Sequence, residues 1–280
     1  MEKERPAAGK KATWIRICVL LALLGVFIFA GVKLGMYYIG SKQAASEYES
    51  LADLKESIVQ QQKQEDNSSE DSSSENSSSE ELPETGNTML PEYRVFYDMN
   101  QDMVGWLHIP GTRVDYPVMQ TVDTPNYYLK RNFYKKSSDW GAIYAREQCD
   151  VNTPSDNVVL YGHAMKDGSM FATLNRYGTK AFWQEHPTFS FDTLYAHYEY
   201  EIWAVFKTNP DGKDGFPYHR YNEFSSEEEF NDFVQTVKDL AFFDTGITPE
   251  YGDKLLTLST CEYTLENGRF VVCAVRITQG

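Results

Sequence analysis

Hydrophobic and polar positions divide this 280-residue chain into three regimes. Ile17 to Val32 is an unbroken apolar run; Lys33 interrupts it, and Leu34 to Ile39 resumes it. The 23 residues from Ile17 to Ile39 are enough for a helix to cross roughly 30 Å of hydrocarbon. Residues 41–64 follow, with Tyr48, Leu51, Ala52, Leu54 and Ile58 at roughly helical spacing on a thin face. Residues 65–81 then hold eight serines, seven acids and no apolar side chain. Such a segment has nothing to bury, and its like charges repel and extend it.

From Val104 onward the pattern becomes short apolar or alternating runs broken by turn residues. Trp106–Ile109, Val114–Met119, Gly141–Tyr144, Val158–Tyr161, Thr188–Phe191, Tyr198–Phe206, Leu255–Ser259 and Arg269–Ile277 are rich in Val, Ile, Tyr, Phe and Thr. These are strand-forming residues, and about eight short strands at this spacing predict a mainly β barrel or sandwich. Helices are expected at Pro91–Met103, at Met170–Tyr177 and, most clearly, at Ser226–Phe242. In the last, Ser225 with Glu228 makes a capping box. Phe230, Phe233, Val234, Val237, Leu240 and Ala241 then form its apolar stripe, which places the helix as an insertion over a barrel face.

Charge sharpens the division. The net −15 splits into −5 over residues 1–87 and −10 over residues 88–280. An acidic chain without a basic stripe argues against nucleic acid as a partner, because phosphates demand Lys/Arg neutralisation. Ahead of the apolar run lie Lys3, Arg5, Lys10, Lys11 and Arg16, against only Glu2 and Glu4. That bias keeps the N-terminus cytoplasmic and sends the rest of the chain outside. The run is longer than a signal-peptide core, which ends in a small-x-small site, and is followed here by Lys33-Leu34-Gly35-Met36-Tyr37-Tyr38, so an uncleaved anchor is expected. The expected organisation is a cytoplasmic tip (1–16), a single transmembrane helix (17–39), a juxtamembrane helix and disordered tether (40–88), and a globular domain (89–280).

Four cysteines, Cys18, Cys149, Cys261 and Cys273, are too scattered for a disulfide scaffold, and no CxxC pair indicates zinc. A Cys149–Cys273 bridge is left open by the sequence. No metal and no cofactor is expected. Two segments carry candidate chemistry: Leu160-Tyr161-Gly162-His163, and Leu256 to Cys261 with Glu262 and Arg269 beyond it. Both end strands, where barrels keep working groups. Singly, each residue has a plain structural alternative: a buried thiol, a satisfied imidazole, a hairpin ion pair.

Together with their neighbours they point further. Thr257-Leu258-Ser259-Thr260-Cys261 resembles the TLxTC signature of sortases, and Tyr161-Gly162-His163 resembles the strand-end histidine of that family. The segments Asn100–Ile109, Val114–Gln120, Asn157–Phe171 and Leu258–Tyr263 are similar to the class B pattern, as is the helical insertion. The resemblance covers about residues 90–280; Ala164 departs from it where a polar residue is expected after the histidine. It implies a closed barrel and a cysteine transpeptidase with Cys261 as nucleophile, His163 as acid and base, and Arg269 stabilising the oxyanion with backbone N–H groups near the cysteine. Tyr161, Ser259, Thr260 and Glu262 become candidate substrate contacts. The implied partners are secreted proteins bearing a C-terminal sorting motif, and an amine of a cell-wall precursor or pilin.

Strand parity puts Arg269, Val271, Cys273 and Val275 on one face, so Cys273 is expected in the core. His108, His186, His197 and His219 carry no assigned role. The alternatives are a hydrolytic cysteine peptidase, and a non-enzymatic surface protein sorted through its own Leu82-Pro83-Glu84-Thr85-Gly86. The second would need an apolar and basic tail after the motif, whereas a globular domain follows it and the chain ends Arg276-Ile277-Thr278-Gln279-Gly280.

Chance is the preferred account of that motif, which sits in a Ser/Glu/Pro-rich linker. Mass spectrometry of the protein from cells is therefore expected to show an intact chain, the same as a Cys261→Ala strain. A new N-terminus at Gly86 in wild type alone would show that the motif is cut.

Overall fold

The computed structural model describes residues 8–69, 88–262 and 264–277. The chain divides into two compact units, Met1–Ala44 and Ala45–Gly280. Helix α1 (Ala8–Ser69) runs without a break, so residues 41–64 continue the apolar helix rather than forming one of their own. Among the described residues one helix is long and apolar enough to cross a membrane, and it is α1, over Trp14–Gln64. Leu20, Phe27 and the other apolar side chains of the run are exposed. Most of the Ser/Glu segment and the Leu82–Gly86 motif lie outside the described residues.

In the second unit, α1 lays Tyr48 and Leu51 against the barrel, where both are buried. The Lys55 ammonium sits 4.8 Å from the centre of the Trp106 ring, its alkyl stem covering apolar surface. Helix α2 (Pro91–Met99) starts with proline in its first turn, which suits a position lacking an intrahelical N–H partner. It ends four residues before the expected Met103, because Met103 opens the first strand.

Eight strands close the barrel expected from their spacing: β1 (Met103–His108), β2 (Asp115–Met119), β3 (Ile143–Ala145), β4 (Asn157–Tyr161), β5 (Thr188–Thr193), β6 (Glu199–Thr208), β7 (Leu255–Cys261) and β8 (Arg269–Arg276). Their order around the barrel is β1-β2-β3-β4-β7-β8-β6-β5. The β2/β3 and β4/β7 pairs are parallel and the others antiparallel. Aromatic and β-branched side chains are buried on both faces of the strands, among them Trp106, Phe191, Phe206, Val271 and Val272.

Parallel pairing of β4 with β7 demands a long crossover, which here carries β5, β6 and two α-helices. Phe171–Gly178 is a 3-10 helix at the site of the expected Met170–Tyr177 helix. A short helix not expected from the pattern, α3 (Lys180–Glu185), follows with Thr179 as its N-cap. Helix α4 (Glu227–Leu240) is the insertion between β6 and β7.

The α4 cap lies one residue beyond the expected box. Ser226 accepts the Glu229 N–H at 3.2 Å, and the Glu229 carboxylate accepts from the Ser225 N–H at 2.8 Å and hydroxyl at 2.5 Å. The paired serines and the run of three glutamates allow either register. The one adopted buries Phe230, Phe233, Val234 and Val237, while Leu240 is left exposed. Phe233 packs against Trp203 of β6, ring centres 6.4 Å apart.

All four cysteines are free thiols, which answers the open question of a Cys149–Cys273 bridge. Cys273 is buried with its sulfur 3.7 Å from the Thr257 hydroxyl, in the core as parity predicts. Burial pushes its thiol up to about 12. Cys149 is buried beside the Val159 N–H, and burial pushes it up to about 11.

Candidate active site

The site is built by register. In the parallel β4/β7 pair, Tyr161 lies opposite Ser259. Two residues further along stand His163, just beyond the end of β4, and Cys261, the last residue of β7, and both line one groove. On the other side of β7, Cys261 faces Arg269 of β8. The Glu262 N–H donates to the Gly268 carbonyl at 2.9 Å, which makes the adjoining Cys261/Arg269 pair a non-hydrogen-bonded one. Side chains approach most closely in such pairs. The three candidate catalytic residues therefore form a row across neighbouring chains, all half-buried in one groove of about 340 Å³.

Gly162 is required between Tyr161 and His163. A Cβ there would meet the Ile143 side chain at 2.5 Å and the Phe171 ring at 2.8 Å. Its carbonyl accepts from the Thr260 hydroxyl at 2.7 Å, tying the residue before the cysteine to the residue before the histidine. Ser259, fully buried, pairs with the Tyr218 hydroxyl at 2.6 Å. Both hydroxyls are thus engaged in holding the groove's walls together, and both residues line it. Tyr161 also lines it, its ring 5.5 Å from that of Tyr144.

Glu262 is placed differently. As the residue after Cys261 it points to the opposite side of the strand, away from the groove lining. Its carboxylate takes the Lys207 ammonium at 2.8 Å, the Thr264 N–H at 2.8 Å and the Leu265 N–H at 3.1 Å. Burial opposes its ionisation, but these partners outweigh burial and hold the carboxyl down to about 2. It thus fastens the β7–β8 turn. Its own N–H is committed to Gly268, so that N–H is not free to stabilise an oxyanion.

His163 Nε2 lies 2.7 Å from the Leu129 carbonyl oxygen. A carbonyl only accepts, so Nε2 carries a hydrogen and Nδ1 is the basic nitrogen of the neutral ring. Burial lowers the pKa of this imidazole, the bond to Leu129 resists that, and the nearby Lys130 adds to the lowering while Asp139 opposes it. The Arg269 guanidinium donates to the Asn267 and Gly268 carbonyls at 3.1 and 3.0 Å, and no carboxylate pairs with it among the described residues.

Several groove residues carry no sequence signal. Tyr144 donates to the Asn126 side chain at 2.9 Å, and Asn126 itself adopts a left-handed backbone (φ 56°). His219, unassigned from sequence, lines the groove beside Tyr218, and burial lowers its pKa. Two other histidines have structural partners: His197 lies 3.1 Å from Glu92 and 3.0 Å from Asp192, and His108 lies 3.4 Å from Asp115.

Cys261, His163 and Arg269 thus line one groove of a closed eight-stranded barrel. The sortase domain family model matches residues 107–277, well over half the chain. The chain belongs to the sortase family, in its class B branch. It is 33% identical over 261 residues to the sortase B of Listeria monocytogenes serovar 1/2a, covering 92% of this chain and 95% of that protein. The sortase B of Staphylococcus aureus, solved as a substrate complex, shares the fold with a TM-score of 0.70 at 24% identity, covering 86% of this chain and 100% of that one. A sortase B solved with triglycine shares it equally, with a TM-score of 0.70, 24% identity and the same coverage of 86% and 100%. Sortases of this class are cysteine transpeptidases.

The electrostatics of His163 predict a pH response. Lys130 lowers the imidazole pKa, so Lys130→Gln should raise it. NMR titration of the His163 ring protons should show the midpoint moving to higher pH, and less so at high salt, because Lys130 is exposed. An unchanged midpoint at low salt would contradict this account of the ring.

Proposed function

We propose that Cys261, His163 and Arg269 carry out transpeptidation on sorting signals. The gathering of these three side chains in one groove, from the residues just beyond β4 and from β7 and β8, carries the reading. The Cys261 thiolate attacks the carbonyl carbon of the Thr–x peptide bond in a C-terminal sorting motif. The carbonyl electron pair moves to oxygen, where the Arg269 guanidinium stabilises it. The C–N bond breaks as protonated His163 gives its proton to the departing amine, leaving a thioester on Cys261. An incoming amine attacks the thioester, His163 takes its proton, and Cys261 departs as thiolate. Lowering the His163 pKa makes its acid form scarcer at neutral pH but a better donor.

The acceptor is an amine of a cell-wall precursor or a pilin. The sortase B structures bound to a substrate and to triglycine support both halves of this reaction. Tyr161, Ser259 and Thr260 contribute to substrate binding through the groove wall they form, and Glu262 through the turn it fastens. The apolar part of α1 anchors the protein in the cell membrane by a single span. Its basic tip (1–16) is cytoplasmic, its span is 17–39, residues 40–88 are the connector, and the catalytic domain (89–280) is extracellular.

Cleavage of a panel of sorting peptides, with and without triglycine, tests the reaction. Cys261→Ala, His163→Ala and Arg269→Ala should each lose about a thousandfold or more in kcat/KM while keeping the folded barrel. The wild-type product should carry the added amine. Full activity in Cys261→Ala would overturn the proposal, and a hydrolysed product in the presence of triglycine would favour a peptidase.

A further inference from the structure

We propose that Tyr48, on the part of α1 that packs against the barrel, is a positioning residue for His163. The inference rests on the reading of His163 as the proton carrier, and two physical paths support it.

The first path leads to the imidazole's partner. The Tyr48 hydroxyl donates to the Gly141 carbonyl at 2.6 Å. Gly141 has φ +63°, and a Cβ on it would meet the Leu129 oxygen at 2.7 Å and the Tyr128 oxygen at 2.8 Å. The glycine is thus pressed against the peptide whose carbonyl receives His163 Nε2. The Ala142 N–H donates to the Tyr128 carbonyl at 3.1 Å, closing the loop between these segments. Glu47, next to Tyr48, holds the same loop at a second point by accepting from Asn132 at 2.7 Å.

The second path leads to the histidine backbone. The Tyr48 ring meets Tyr116 edge-on, centres 5.2 Å apart. The Tyr116 hydroxyl accepts the Met170 N–H at 3.1 Å. Ala164 bridges to Met170, and the next N–H, from Phe171, donates to the His163 carbonyl at 2.9 Å. One buried side chain therefore backs both the ring's hydrogen-bond acceptor and the peptide that bears the ring. Displacements of a fraction of an ångström at a proton-transfer group are costly. A helix that leads from the apolar run is in this way part of the support of the catalytic site.

Three variants of the full-length protein in detergent test this. Tyr48→Phe keeps the ring and removes the hydroxyl. Gly141→Ala puts a Cβ against the Leu129 carbonyl oxygen itself. Leu51→Ala removes packing from the same helix while keeping the Tyr48 side chain and every hydrogen bond of both paths. Assayed well below each Tm, Tyr48→Phe and Gly141→Ala should lower kcat about 3- to 10-fold with KM little changed. Both should move the His163 limb of the pH profile and its NMR titration to lower pH, because the Leu129 bond favours the charged ring. Leu51→Ala should lower Tm and leave kcat and the limb in place. Wild-type kcat and titration in Tyr48→Phe would overturn the proposal, as would Leu51→Ala reproducing the shift. Retained activity in His163→Ala would instead remove the role assigned to His163, while the NMR titration would still report whether Tyr48 acts on the ring.

Discussion

The site depends on one constraint, the register of β7 between β4 and β8. Tyr161 opposite Ser259 and Cys261 opposite Arg269 are the two alignments that bring an imidazole, a thiol and a guanidinium into one groove. A slip of one residue in either pair would send one member to the other face of the sheet. Local bonds hold the alignment: Thr260 to the Gly162 carbonyl, Ser259 to Tyr218, and Glu262 to Lys207 and the turn that follows it. The residues flanking Cys261 thereby fix strands to one another as well as shaping a groove.

Much of this was legible from residue pattern. Each of the eight runs rich in β-branched and aromatic residues became a strand, because turn residues bound them and no helical stripe competes. Boundaries shifted by one to three residues, as where Thr260 and Cys261 extend β7 and Met103 opens β1 three residues early. What pattern could not supply was pairing. The neighbours of β7 are β4 and β8, and nothing in the intervening hundred or so residues of crossover announces a parallel partner that far back. The α4 cap slipped by one residue because Ser225-Ser226 and Glu227-Glu228-Glu229 offer two equivalent boxes, and burial of Phe230 and Phe233 chose between them.

The candidate site was legible in part for a related reason. Cys261, His163 and Arg269 stand out because side-chain identity matters there. Leu129 could not stand out, since it acts through its backbone carbonyl, which any residue provides. His219 and Tyr144 reach the groove from separate segments, and only folding brings them together. Glu262 shows the converse: adjacency to the nucleophile in sequence places it on the opposite side of the strand. By compactness, α1 beyond Ala44 groups with the barrel.

Three of the four thiols lack the setting of a nucleophile. Cys18 lies in the apolar run, and Cys149 and Cys273 are buried and pushed up to about 11 and about 12, so they stay protonated. Cys261 alone lines the groove beside a histidine and an arginine. Intact-mass spectrometry of the protein mixed with a sorting peptide, without an amine, reads this directly. One acyl group should appear on the protein, map to Cys261 as a hydroxylamine-labile thioester, and vanish when triglycine is added. Peptide turnover with no adduct on Cys261, or an adduct on another residue, would contradict it.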